Sequence, residues 1–143
     1  MSLAQPGLFD LTPPGLPQGF VYRSEFVSRE EEADIVARLR PLPFAPFQFH
    51  GFEGRRRVCS FGWRYDFNEG GLKPAEPFPD WLRRLAERAA AFAGVAPEAF
   101  AHALVTEYAP GAGIGWHRDR PQFEDVVGVS LMSACRFRFR RRH

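Results

Sequence analysis

The stretch Thr106-Glu107-Tyr108-Ala109-Pro110-Gly111-Ala112-Gly113-Ile114-Gly115-Trp116-His117-Arg118-Asp119 constrains this chain more than any other. It reads as the end of a strand, a Pro-Gly turn, and a second strand carrying His-x-Asp. Side chains alternate between the faces of a strand, so His117 and Asp119 point the same way, with Gly115 beside them and Ile114, Trp116 and Arg118 opposite. A packed apolar layer of Ile114 and Trp116 would then hold the strand rigid. An imidazole beside a carboxylate supplies two of the three donors of the facial triad that holds non-haem Fe(II) with positions open for oxygen chemistry. A hydrogen-bonded surface pair has the same pattern, and His-x-Asp alone does not choose between them.

Ahead of that stretch the chain alternates loops with short regular elements. Residues 1–19 hold Pro6, Pro13, Pro14 and Pro17 among glycines, which predicts an extended lead-in. Phe20-Val21-Tyr22 has the pattern of a short strand. Ser28 and Glu31 form a capping box that opens a helix running to about Arg40, with Ala33, Ile35, Val36 and Leu39 as its buried stripe and Pro41 and Pro43 as its stop. Phe61, Trp63, Tyr65 and Phe67 alternate, which predicts a strand with one aromatic face. A stripe of this kind is most often core packing. Beside Arg55, Arg56 and Arg57 it also has what a nucleic-acid site needs, cations for phosphates and flat rings for an extruded base. Asn68 to Gly71 is a turn. A second helix, capped by Asp80, spans Trp81 to about Ala93 and is ended by Gly94. After Asp119, Val126 to Met132 and Cys135 to Arg142 both read as strands, the latter with Arg136, Arg138 and Arg140 on its outer side.

The 143 residues predict one α+β domain over 20–143. The net charge of +2 excludes nothing by itself, but its clustering into Arg55–Arg57 and Arg136–Arg142 suits a polyanionic partner. Two cysteines without metal-ligand spacing give no disulfide framework. No signal-peptide pattern and no apolar run of membrane-spanning length is present, so a cytoplasmic protein without membrane contact is the expectation.

The run Tyr-Ala-Pro-Gly-Ala-Gly-Ile-Gly-Trp-His-Arg-Asp resembles the AlkB family of Fe(II)- and 2-oxoglutarate-dependent dioxygenases. The order of opening helix, Pro-Phe loop and aromatic-basic segment is similar as well. The resemblance implies a double-stranded β-helix (jelly-roll) core with two N-terminal helices packed against it. It makes His117 and Asp119 iron ligands and Tyr108 a 2-oxoglutarate contact. Thr106 stands where an asparagine commonly assists that tyrosine. The aromatic-basic segment falls where the family has its nucleotide-recognition lid, which makes Arg57, Trp63 and Tyr65 the candidates for phosphate and base contacts.

The activity implied is oxidative dealkylation of alkylated DNA or RNA bases, with a protein substrate as a further possibility. In the family a third iron ligand, a histidine, and an arginine for 2-oxoglutarate follow on later strands. Here the one later histidine is the terminal His143. The resemblance therefore covers the lead-in, the lid region and the first half of a barrel, and the expectation is a partial domain, truncated or completed by another chain. A fragment without turnover that binds nucleic acid or protein is the rival reading. A zinc hydrolase is the weaker one, since no general-base glutamate has a recognisable spacing from His117.

Overall fold

The computed structural model describes residues 15–49, 52–119 and 124–141. The chain divides into two compact units: the residues up to Ala37 together with those from Gly128 onward, and Arg38–Val127. The elements are helix α1 (Arg29–Leu39), strands β1 (Ala45–Phe49), β2 (Phe52–Phe61), β3 (Trp63–Tyr65) and β4 (Leu72–Pro74), helix α2 (Asp80–Ala93), and strand β5 (Ala103–Glu107). The class is α+β, with antiparallel sheets.

Helix α1 starts where its capping box lies. The Glu31 N–H donates to Ser28 Oγ at 3.1 Å, and the Ser28 N–H donates to Glu31 Oε1 at 3.4 Å. Two otherwise orphaned amide groups are satisfied reciprocally. The expected buried stripe is only partial: no residue of α1 is fully buried, Ala33 is exposed, and Ile35, Val36 and Leu39 are half-buried. In the unit that holds most of α1, Phe20 meets Phe139 edge-on at 5.0 Å and Phe137 lies 5.2 Å from Phe139. The Met132 N–H donates to Glu32 Oε2 at 3.2 Å. The strands expected at Phe20–Tyr22, Val126–Met132 and Cys135–Arg142 are not formed among the described residues. Their apolar patterns suit strands, but a ladder needs a paired neighbour, and none is supplied to them there.

In the other unit β2 is the middle strand of a sheet ordered β1-β2-β5. Its register with β5 sets Arg57 opposite Glu107, Val58 opposite Thr106 and Phe61 opposite Ala103. Pro46 lies on the edge strand β1, where its missing N–H breaks no central ladder. The expected Phe61–Phe67 strand is broken at Gly62. That residue adopts φ 73°, donates its N–H to the Glu76 carbonyl at 2.6 Å and accepts from the Ala75 N–H at 3.0 Å. The chain then enters the β3–β4 ribbon, whose turn is closed by Asp66: its Oδ1 accepts the N–H groups of Asn68 and Glu69, both at 2.9 Å.

Helix α2 runs as expected, with a correction at its start. Pro79, not Asp80, precedes the first helical residue, and its carbonyl accepts from the Leu82 and Arg83 N–H groups. Asp80 sits inside the first turn, where a carboxylate complements the positive helix end. The C-terminus closes on Gly94 at φ 71°, with Val95 N–H to the Ala90 carbonyl and Gly94 N–H to the Ala91 carbonyl, the Schellman pattern. Leu82, Ala89 and Ala90 are buried on one side, and Arg83, Arg84, Glu87 and Arg88 are exposed on the other. With Phe61 at the end of β2, these are the most deeply buried side chains described. No helix among the described residues is long and apolar enough to cross a membrane.

Candidate metal centre and aromatic-basic sheet

The turn after β5 has the predicted chemistry. The Ala112 N–H donates to the Ala109 carbonyl at 2.9 Å across Pro110 and Gly111, with Gly111 at φ 80°. Proline at the second turn position and a left-handed glycine at the third make a type II turn. Beyond it, residues 112–119 form no strand ladder, which corrects the expected second strand. Trp116 and Ile114 are exposed and do not form the expected packed layer.

His117 and Asp119 nonetheless come together, with His117 Nε2 at 3.5 Å from Asp119 Oδ1. The imidazole Nδ1 lies 2.9 Å from the Gly115 carbonyl oxygen. A carbonyl only accepts, so Nδ1 carries the proton and, in the neutral ring, Nε2 presents its lone pair. That lone pair faces a carboxylate oxygen. Two acceptors at this distance are satisfied together by a cation between them or by a proton. A backbone carbonyl that fixes the tautomer of a ligating histidine is the usual outer-shell arrangement of a metal site. The donor set, one imidazole and one carboxylate, fits Fe(II). Among the described residues no group of three His, Cys, Asp or Glu converges on a metal position, and His143 lies outside them.

Thr106 is half-buried on β5, and Tyr108, two residues on and of the same parity, is 48% exposed. His102 is tied elsewhere, its Nδ1 meeting the Trp63 carbonyl, which leaves that ring nitrogen engaged at the β3 end. Cys59 lies half-buried on β2, and burial pushes its thiol above the usual range, away from the thiolate that a nucleophile needs.

The proposed nucleic-acid residues separate. Trp63 is exposed on β3. Tyr65 is half-buried and packs edge-on to Phe67 at 4.9 Å, and Phe67 packs edge-on to Phe47 at 5.3 Å. Arg57 is bound by Glu107: Nε donates to Oε1 at 2.9 Å and Nη2 to Oε2 at 2.8 Å. Its guanidinium carbon lies 5.4 Å from the centre of the Phe44 ring. Arg56, which the sequence did not single out within its cluster, lies 3.8 Å from the centre of the Phe47 ring. The signal was available: strand alternation sends Arg56 to the face opposite Arg55 and Arg57.

The sequence profile of the 2OG-Fe(II) oxygenase superfamily matches residues 19–143. A zebrafish (Danio rerio) protein described as probable RNA/DNA demethylase ALKBH6 is 32% identical over 111 residues, which cover 78% of this chain and 45% of that protein. The chain thus spans about half the length of this relative. No solved structure matches. The superfamily uses Fe(II) and 2-oxoglutarate. With a profile that takes in nearly all the described residues, His117 and Asp119 among them, the chain belongs to the 2OG-Fe(II) oxygenase superfamily and is AlkB-like within it.

Proposed function

We propose that the chain carries part of the active site of an AlkB-type dioxygenase that removes alkyl groups from nucleic-acid bases. The observation that carries the reading is the His117–Asp119 pair, with the imidazole oriented by the Gly115 carbonyl. His117 Nε2 and an Asp119 oxygen are the donors for Fe(II), and Gly115 keeps the ring in the ligating tautomer. Tyr108 and Thr106 present hydroxyl groups on the face where 2-oxoglutarate would lie. Bound iron and co-substrate supply the oxidising chemistry; the residues described here orient the donors and position the co-substrate and the base.

The jelly-roll core belongs to this proposal, with the β1-β2-β5 sheet as its described part. So does the substrate class. The relative described as a probable RNA/DNA demethylase supports nucleic acid. The aromatic-basic segment, with Arg55, Arg56, Trp63 and Tyr65, has the side chains for a phosphate track and a stacked base. The test is formaldehyde release from methylated single-stranded DNA and RNA, with Fe(II) and 2-oxoglutarate. Loss of release in both His117→Ala and Asp119→Ala is expected. Release that survives both substitutions would place the chemistry elsewhere.

A further inference from the structure

Three consecutive arginines on β2 cannot share one role, because a strand sends them to alternate faces. Arg57 is held by a carboxylate that matches its fork atom for atom, at 2.9 and 2.8 Å. Its charge is answered within the sheet, and a phosphate would have to displace Glu107 to reach it. Arg56 differs in partner and in face. Its guanidinium carbon lies over the Phe47 ring, 3.8 Å from the centre, a contact that leaves the positive charge unneutralised. Phe47 is in turn braced by Phe67, and Phe67 by Tyr65. The β2–β5 register pairs Val58 with Thr106, so Arg56 lies on the sheet face that carries Thr106 and, by parity, Tyr108.

We infer that Arg56, stacked on Phe47, is the β2 guanidinium that engages a nucleic-acid phosphate, while Arg57 and Glu107 lock the sheet. The inference rests on the nucleic-acid reading above and divides the labour within it. Arg56 sits on the face of the co-substrate hydroxyls, and Arg57 is turned away from it. There the half-buried Arg56 and the Tyr65–Phe67–Phe47 rings lie together, the pairing of charge and π surface that single strands use.

The experiment is fluorescence anisotropy of a labelled oligothymidylate with the full chain, across a series of KCl concentrations. Arg56→Gln, Arg56→Lys and Arg57→Gln are compared with the parent, and thermal melting is read on the same samples. Arg56→Gln is expected to weaken binding and to flatten the log–log salt slope by about 0.7, the value of one phosphate contact on a single strand. Arg56→Lys keeps the charge and is expected to keep most of that slope. Arg57→Gln is expected to lower the melting temperature with the slope unchanged. If Arg57→Gln flattens the slope and Arg56→Gln does not, the assignment is overturned and the nucleic-acid reading stands. If the parent chain gives no anisotropy change at low salt, both fall together.

Discussion

Glu107 grips Arg57 across the β2–β5 pair with two parallel hydrogen bonds, and the two residues lie directly opposite in the ladder register. Cross-strand position and bidentate geometry coincide, so neither side chain has to stretch to meet the other. Both are about half exposed, which limits what the pair contributes. A double-mutant cycle with Arg57→Gln and Glu107→Gln, read by urea denaturation, should give a coupling of about 0.2–1 kcal/mol that shrinks in high salt. A coupling near zero at low salt would remove the sheet-lock role.

Gly62 is the junction that no other residue fills. At φ 73° an added Cβ would run into the Ala101 carbonyl oxygen and come within 2.9 Å of Phe78 Cε1. Gly62→Ala combines the left-handed backbone cost with a clash against main chain, together about 2–5 kcal/mol. Gly70 is the internal comparison. It also has positive φ, 79°, but a Cβ there meets nothing within 4 Å. Gly70→Ala should therefore cost only about 1–2 kcal/mol. Equal losses in chemical denaturation would mean that the approach to Ala101 is not made.

Asp66 gives the acid limb of the stability profile a local cause. The Glu69 N–H, opposed next by desolvation and then aided by the Asn68 N–H and the charges of Arg64 and Lys73, holds its carboxyl below the usual range. A depressed folded-state pKa stabilises in full above the ordinary aspartate range and is lost as pH falls through the folded value. Stability should therefore decline as the pH drops below about 4. Asp66→Asn should flatten that limb, with parent and variant converging in acid. An unchanged acid limb would show that the turn does not bind its carboxylate.

What the sequence made legible is what is local. Ser28 and Glu31, three residues apart, announce α1. Gly94 announces the end of α2, and Pro110-Gly111 announces the turn, because each signal and its structural effect lie within a few residues. What was not legible depends on distant partners. Alternation from Phe61 to Phe67 looks continuous, yet Gly62 breaks it to meet Glu76, Ala75 and Ala101. The pairing of Arg57 with a carboxylate fifty positions away has no local signal in the sequence. Spacing brings His117 and Asp119 together, but their segment lacks the ladder that strand alternation predicts. A two-residue offset brings side chains together in an extended loop as well as in a strand.

The Ser28 cap offers a test of α1 apart from the rest. Ser28→Ala removes the acceptor for the Glu31 N–H and should cost about 0.5–2 kcal/mol, with Ser28→Gly costing less. Hydrogen exchange of the first-turn amides should accelerate in Ser28→Ala. Unchanged protection there would contradict the cap.

If His117 and Asp119 form part of an Fe(II) site, anaerobic titration of the chain with Fe(II), with and without 2-oxoglutarate, reads it without any nucleic-acid substrate. The expected result is the visible metal-to-ligand charge-transfer absorption of chelated 2-oxoglutarate, abolished in His117→Ala and in Asp119→Ala. A folded chain that binds no Fe(II), or whose absorption persists unchanged in both variants, would contradict it.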